Sequence, residues 1–372
     1  MFTGMEAVYH RDRIRLQRAP MWIRLFVGSV LLVLLSPSTV FAASLEVSGW
    51  IPYWRAATGI ADVSAHLDQI TEINPFGYSV KSNGTLADTL AIEKAPWPAL
   101  IADAKKKKVR VIPTVMWSDG EAIHRILSNT EKRRALATEI ANLVKTKGYD
   151  GIDINFEGKQ ARTKEYFSLF LKGLYTKMGN KWVMCSIEAR TPLDSRYLGQ
   201  APASATQYAN DHKEIGKYCD RVRIMAYDQG TVDLRLNAAR SAPYIPVADA
   251  AWVEKVIFET AKNIPLKKIV LGIPTYGREY SFTIDEAGKY TYKHIRAFNP
   301  DTALALGGAP VRGESGEMTL MTASSTFMVW SDAGAIVDKI ALAKKLGVRG
   351  VAVFKFDGLA DPGMWDVLRA AR

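Results

Sequence analysis

Residues 150–157 read Asp-Gly-Ile-Asp-Ile-Asn-Phe-Glu. In a strand successive side chains alternate, so Asp153, Asn155 and Glu157 share one face while Ile152, Ile154 and Phe156 take the other. Polar groups on a packed face carry a desolvation cost unless they are hydrogen-bonded and used. Two carboxyl groups four residues apart in a partly dry site oppose each other's ionisation, which raises one pKa. A proton shared along Asp153 and Glu157 would equip Glu157 as a general acid, suited to an alcohol-type leaving oxygen. Only one carboxyl stands at the end of this strand, so a two-carboxylate displacement lacks its second member. The nucleophile is then expected from the substrate itself.

Such a residue needs a scaffold that presents strand ends. Eight short apolar runs, at 45–54, 70–80, 109–117, 149–157, 182–190, 221–228, 268–277 and 349–357, read as strands. Amphipathic stretches at 97–107, 131–147, 164–177, 207–218, 250–263 and 333–346 separate most of them, with apolar residues at helical spacing. Strand alternating with helix implies an α/β class with a parallel sheet, and eight repeats predict a closed (β/α)8 TIM barrel. Barrel enzymes keep reacting groups at the C-terminal ends of strands, where Glu157 falls. Between the seventh and eighth runs the interval is too long for one helix. Short strand patterns at 279–283, 289–294, 317–322 and 326–330, broken by Gly-rich turns, predict a small β-rich insertion at about 278–331.

The 372 residues are 48% hydrophobic and 23% charged, enough to bury a sizeable core and far from a disordered, collagenous or coiled-coil composition. Two cysteines, Cys185 and Cys219, are too few for a disulfide scaffold, and five histidines without ligand spacing argue against a metal centre. No cofactor is expected. Residues 1–43 place a basic stretch before the apolar run 25–35 and small residues near Ala43, as a secretory signal does. Removing that segment takes five Arg and two acids from the net charge of +11 and leaves +8, which favours anionic surfaces such as cell-wall polymers. No dense basic stripe interleaved with aromatics appears, so nucleic acid is not an expected partner. The mature chain is read as secreted, periplasmic or cell-wall associated, without a stable membrane span and as a monomer.

The run from Asp150 to Glu157 resembles the DGxDxDxE signature of glycoside hydrolase family 18, the chitinase family. Met225-Ala226-Tyr227-Asp228 resembles its sixth-strand MxYD, and residues 272–278, Gly-Ile-Pro-Thr-Tyr-Gly-Arg, its seventh-strand GxPxYGR. Residues 350–354 fall where its last strand ends in a tryptophan. The resemblance implies a glycosidase acting on N-acetylglucosamine polymers by a retaining mechanism in which the substrate's acetamido oxygen attacks the anomeric carbon. It implies Glu157 as acid and later base, Asp153 as the group that tunes it, Tyr227 as a donor to the acetamido group, and Asp228, with Arg278 of the GxPxYGR run, lining the same subsite. Two positions depart from the pattern. Asn155 stands where the family has Asp, and an amide accepts a hydrogen bond without carrying charge. Phe354 stands where a tryptophan floors the central sugar subsite, which keeps an apolar face with less area and no N–H.

Aromatic residues at strand ends are candidate sugar platforms: Tyr53, Trp54, Trp117 and Tyr276. Glu188 and Arg190 either reach substrate hydroxyls or form a structural ion pair. Cys185 and Cys219 either pair or remain buried thiols. Three functional readings stand side by side: a hydrolase of chitin-type or bacterial wall glycan, an endoglycosidase acting on N-glycans, and a non-catalytic sugar-binding barrel whose site has decayed at Asn155 and Phe354. A retained acid at the cleaving position favours the hydrolase.

Overall fold

A computed structural model describes residues 44–372. The expected signal segment at 1–43 lies outside the described residues. Eight parallel strands form the barrel: β1 (Glu46–Pro52), β2 (Glu72–Val80), β3 (Thr114–Trp117, preceded by the two-residue strand Arg110–Val111), β4 (Gly151–Phe156), β5 (Trp182–Glu188), β6 (Arg221–Met225), β7 (Ile269–Pro274) and β8 (Gly350–Phe354). Each pairs with the next, and β8 returns to β1, so the sheet closes. Closure pairs each barrel strand on both sides, and only the short strand Leu86–Asp88, antiparallel to β2, adds an edge to this sheet among the described residues.

Alternation sets two cores. Outward residues such as Val47, Val115, Ile152, Ile154, Cys185, Val222, Leu271 and Val353 are fully buried under the helices. On β4, Phe156 stacks on Phe170 of the helix Lys164–Met178 at 5.4 Å between ring centres. Burial of each such side chain stabilises by about 2 kcal/mol. The inner core is smaller and aromatic: Trp50, Phe76, Val270 and Ala352, with Met116 and Phe354 packed on it.

Side-chain caps begin most long helices. Asp119, Asn129, Asp249 and Asp332 each accept a backbone N–H in the first turn of the helix they precede. Gly148, at φ 64°, ends the helix Thr130–Lys147 in the left-handed conformation that leads the chain into β4. The helix expected from residue 207 starts later, at His212, because Asp211 caps Lys213 and Glu214 there.

Between β7 and β8 the insertion is a five-stranded antiparallel sheet in the order Tyr290–Phe298, Gly277–Ile284, Phe327–Trp330, Met318–Met321 and Val311–Arg312. Two details differ from the sequence pattern. The second strand continues to Phe298, and residues 311–312, outside the four strand patterns, form a further short strand in which Arg312 pairs with Met318. Cys185 and Cys219, whose pairing the sequence left open, form a disulfide with 5.9 Å between their Cα atoms. Both are fully buried, so the bond ties the outer face of β5 to the chain entering β6.

Candidate active site

Asp153, fully buried at mid-height in the barrel, is the anchor. Its carboxylate accepts from Trp50 Nε1 at 3.2 Å, Thr114 Oγ1 at 2.9 Å and Ser186 Oγ at 2.9 Å, and pairs with Arg223 Nη1 at 2.8 Å. Burial alone would discharge Arg223, but the charges of Asp153 and Glu72 outweigh it and hold its pKa above the usual value. Four strands thus converge on one carboxylate, and removing a partner would strand a buried charge.

Asn155, one step up the same face, is 4% exposed. Its Nδ2 donates to Glu157 Oε1 at 2.8 Å, while its Oδ1 is buried with no hydrogen-bond partner among the described residues. Glu157 follows β4, held by its backbone N–H donating to Trp117 O at 2.8 Å. Its carboxyl pKa is raised above 4.5: burial is the largest cause, and the charges of Glu188 and Asp228 add to it. The Asn155 hydrogen bond and the Lys159 ammonium oppose the rise without cancelling it. The expected proton sharing between Asp153 and Glu157 is therefore replaced by a different arrangement. Both oxygens of Asp153 are engaged elsewhere, Asn155 is the neighbour that touches Glu157, and the like charge that matters most is Glu188.

Opposite walls of the mouth are aromatic. Tyr227 stacks on Phe354 at 5.7 Å, and Trp50 and Tyr276 meet Phe354 edge-on at 5.9 and 6.0 Å. Room for Tyr227 comes from Gly272 on β7: a Cβ there would sit 2.4 Å from the Ile224 carbonyl and 3.0 Å from the Tyr227 ring. Burial, reinforced by the charges of Glu157, Asp228 and Asp153, keeps the Tyr227 hydroxyl protonated far into the alkaline range. Asp228 lies at φ 57°, a left-handed conformation that Asp tolerates better than most residues. It is held there by Tyr276 Oη at 2.7 Å and by Arg278, whose Nη2 lies at 2.7 Å. Asp228, Tyr276 and Arg278 therefore act as one cluster, joining the barrel to the first insertion strand.

Tyr53 and Trp54 stand at the rim, 47% and 48% exposed and edge-on to each other at 4.8 Å. Trp117 does not belong with them. It is 3% exposed, faces the helices beside Phe156 and lies in the outer core, because β3 puts Thr114 and Met116 inward. Glu188 and Arg190 do not pair with each other. Glu188 accepts from Gly158 N at 3.1 Å and Asn210 Nδ2 at 2.7 Å, and Arg190 stacks on Tyr208.

Trp50, Thr114, Ser186, Arg223, Met116 and Lys159 were not singled out from the sequence. Alternation counted along β1, β3, β5 and β6 would have turned the first five inward; nothing local marks Lys159. Among the described residues, no cluster of His, Cys, Asp or Glu converges to hold a metal ion, and no helix is long and apolar enough to cross a membrane.

Comparison with known proteins identifies the family and the fold. The chain is 24% identical over 312 residues, 78% of its length and 85% of the relative's, to an uncharacterised glycosylase of Bacillus subtilis. It is 25% identical to the cortical fragment-lytic enzyme of the same organism, covering 80% of this chain and 67% of that one. Its fold matches a class V chitinase of Pseudomonas fluorescens with TM-score 0.70 at 20% identity, over 88% of this chain and 99% of that one. It also matches the spore cortex-lytic enzyme of Bacillus megaterium with TM-score 0.68 at 21% identity, over 87% and 73% of the two chains. The model of the glycosyl hydrolases family 18 matches residues 49–358, and the chain belongs to that family.

Proposed function

We propose that this family 18 hydrolase cleaves the β-1,4 bonds of an N-acetylglucosamine-containing polysaccharide, of chitin or peptidoglycan type, with the substrate's own acetamido oxygen as nucleophile. The observation that carries the reading is a partly buried carboxyl at the C-terminal end of β4, hydrogen-bonded by Asn155 at 2.8 Å, in a chain of this family. Glu157 donates its proton to the glycosidic oxygen as the bond to the anomeric carbon breaks. The acetamido carbonyl oxygen closes on that carbon, forming an oxazolinium ion, and the Tyr227 hydroxyl hydrogen-bonds the acetamido group as it closes. Water then attacks the same carbon from the vacated face, with Glu157 accepting its proton, so configuration is retained.

Asn155 serves both halves of the cycle. Its unpartnered Oδ1 accepts the acetamido N–H, whose acidity grows as the ring closes, and its Nδ2 holds the Glu157 carboxylate once the proton has left. It supplies no negative charge to the developing cation, which limits the rate. Phe354 is the apolar floor under the sugar, and Tyr53 and Trp54 at the rim extend the platform.

Export fits the basic, apolar and small-residue order of 1–43 and the buried disulfide, a bond that oxidising compartments favour. The relative named as cortical fragment-lytic and the positive charge of the chain favour a wall-type glycan. The test is mass-spectrometric product analysis of N-acetylglucosamine oligomers and purified peptidoglycan with the wild type and Glu157→Gln. Cleavage of either polymer by the wild type alone supports the reading. Binding without cleavage by both proteins would replace it with a carbohydrate-binding role.

A further inference from the structure

A cavity of about 390 Å³ opens among the loops that follow β4, β5 and β6. Lys159, Glu188, Arg190, Arg196, Tyr208 and His212 contribute to its wall. Three of these are cationic and one is acidic. Lys159 is 8% exposed, donates to the Phe156 carbonyl and stands 3.8 Å from Glu188. Glu188 in turn accepts from Gly158 N, the residue after Glu157, so the cavity adjoins the acid.

The two arginines lack the carboxylate partner that several other shielded arginines have. Arg110, Arg221 and Arg223 each have a carboxylate partner. Arg190 is only partly exposed, with its guanidinium carbon 3.6 Å from the Tyr208 ring centre and Nη2 donating to Asn210 O at 2.8 Å, yet no carboxylate lies in salt-bridge contact among the described residues. Asp211 and Glu259 act on it only from farther away. Arg196, also partly exposed, has a ring contact with Tyr197 at 5.5 Å and no acidic partner among the described residues. His212, 3% exposed, leaves its Nδ1 without a partner. A guanidinium partly stripped of water and given no counter-charge is best satisfied by a ligand that brings one, and its fork suits a carboxylate.

We propose that this cavity binds a carboxylate carried by the glycan next to the scissile bond, which makes the substrate an acidic amino-sugar polymer of peptidoglycan type in preference to neutral chitin. The proposal rests on the hydrolytic reading of Glu157 given above. Arg190 and Arg196 supply the charge, and Tyr208 fixes the plane of Arg190.

The experiment compares kcat/KM for glycan strands and for neutral N-acetylglucosamine oligomers in wild type, Arg196→Gln, Arg190→Gln and Arg190→Lys. Strands freed of peptide carry the carboxylate on the sugar, and peptide-bearing strands carry it on the peptide; the preferred arm identifies the source. The strand-to-oligomer ratio is expected to fall about tenfold in each Gln variant, mainly through KM, and to recover partly in Arg190→Lys. Amidating the strand carboxyls should produce the same fall with the wild type. Arg196→Gln carries the test if Arg190→Gln folds poorly, since Arg196 has no polar side-chain partner among the described residues to lose. An unchanged ratio in these variants overturns the proposal, as does an equal loss on both substrates. A wild type that cuts only neutral oligomers also overturns it while leaving the hydrolase reading intact; a wild type that cuts neither polymer removes both.

Discussion

The two ends of the barrel interior treat the same side chain in opposite ways. At the N-terminal end Glu46 is ringed by arginines: Arg221 contacts both its oxygens at 2.8 and 2.9 Å, Arg349 lies at 2.8 Å and Arg110 at 3.4 Å. Burial alone would raise the Glu46 pKa, but Arg221, Arg110 and Arg349 overcome it and hold it down at about 2. At the C-terminal end Glu157 meets burial with one amide donor and one lysine, and its pKa rises. Desolvation acts at both ends; the number of cations within reach decides the sign. The lower end spends its charges on pairing, whereas the upper end leaves a proton available and an acceptor on Asn155 unfilled.

Removing the upper acid should have the largest effect. Glu157→Gln is expected to lose roughly a thousandfold in kcat, the scale of a missing general acid. Its folded pKa lies above the unfolded value of 4.5, so ionising it costs stability as the pH rises past that value. The Gln variant, which cannot ionise, should therefore melt at the same temperature as the wild type or slightly above it at neutral pH. A thermal scan run beside the assay reads both outcomes.

The lower acid should do the reverse. Its folded pKa of about 2 lies below the unfolded 4.5, so its pairing stabilises the fold above pH 4.5, and that contribution is lost as the pH falls from about 4.5 toward 2. Glu46→Gln should cost roughly 3 kcal/mol at neutral pH, with little change in kcat. Denaturant unfolding at a series of pH values should show the difference shrinking toward pH 2; a constant difference would break the comparison.

Asn155→Asp is the finest probe. A carboxylate beside Glu157 restores charge to the developing cation, and kcat is expected to rise about tenfold. The same like charge should push the Glu157 pKa higher, moving the alkaline limb of the pH–rate profile upward. An unchanged profile would show that Asn155 does not govern the acid.

How far this was legible in the sequence varies by residue. The barrel followed from eight apolar runs, and the β4 triad from alternation alone. Trp117 was misread because an aromatic at a strand end draws attention, although the same alternation turns Met116 inward and Trp117 out. The Arg223 pairing with Asp153 was not legible, since it joins residues 70 positions apart through the registers of three strands. Nor was the disulfide, because its 34-residue spacing carries no signal until β5 and β6 lie side by side. Lys159 and the cavity beside it depend on how three loops fold back, which no periodicity encodes.

The most direct measurement is a carbon-13 NMR titration of the side-chain carboxyls, with Glu46 and Glu157 assigned by their Gln variants. Titration of Glu46 near 2 and of Glu157 above 4.5 in one sample is the predicted result. Glu157 titrating at or below the ordinary glutamate value would contradict its role as a poised acid.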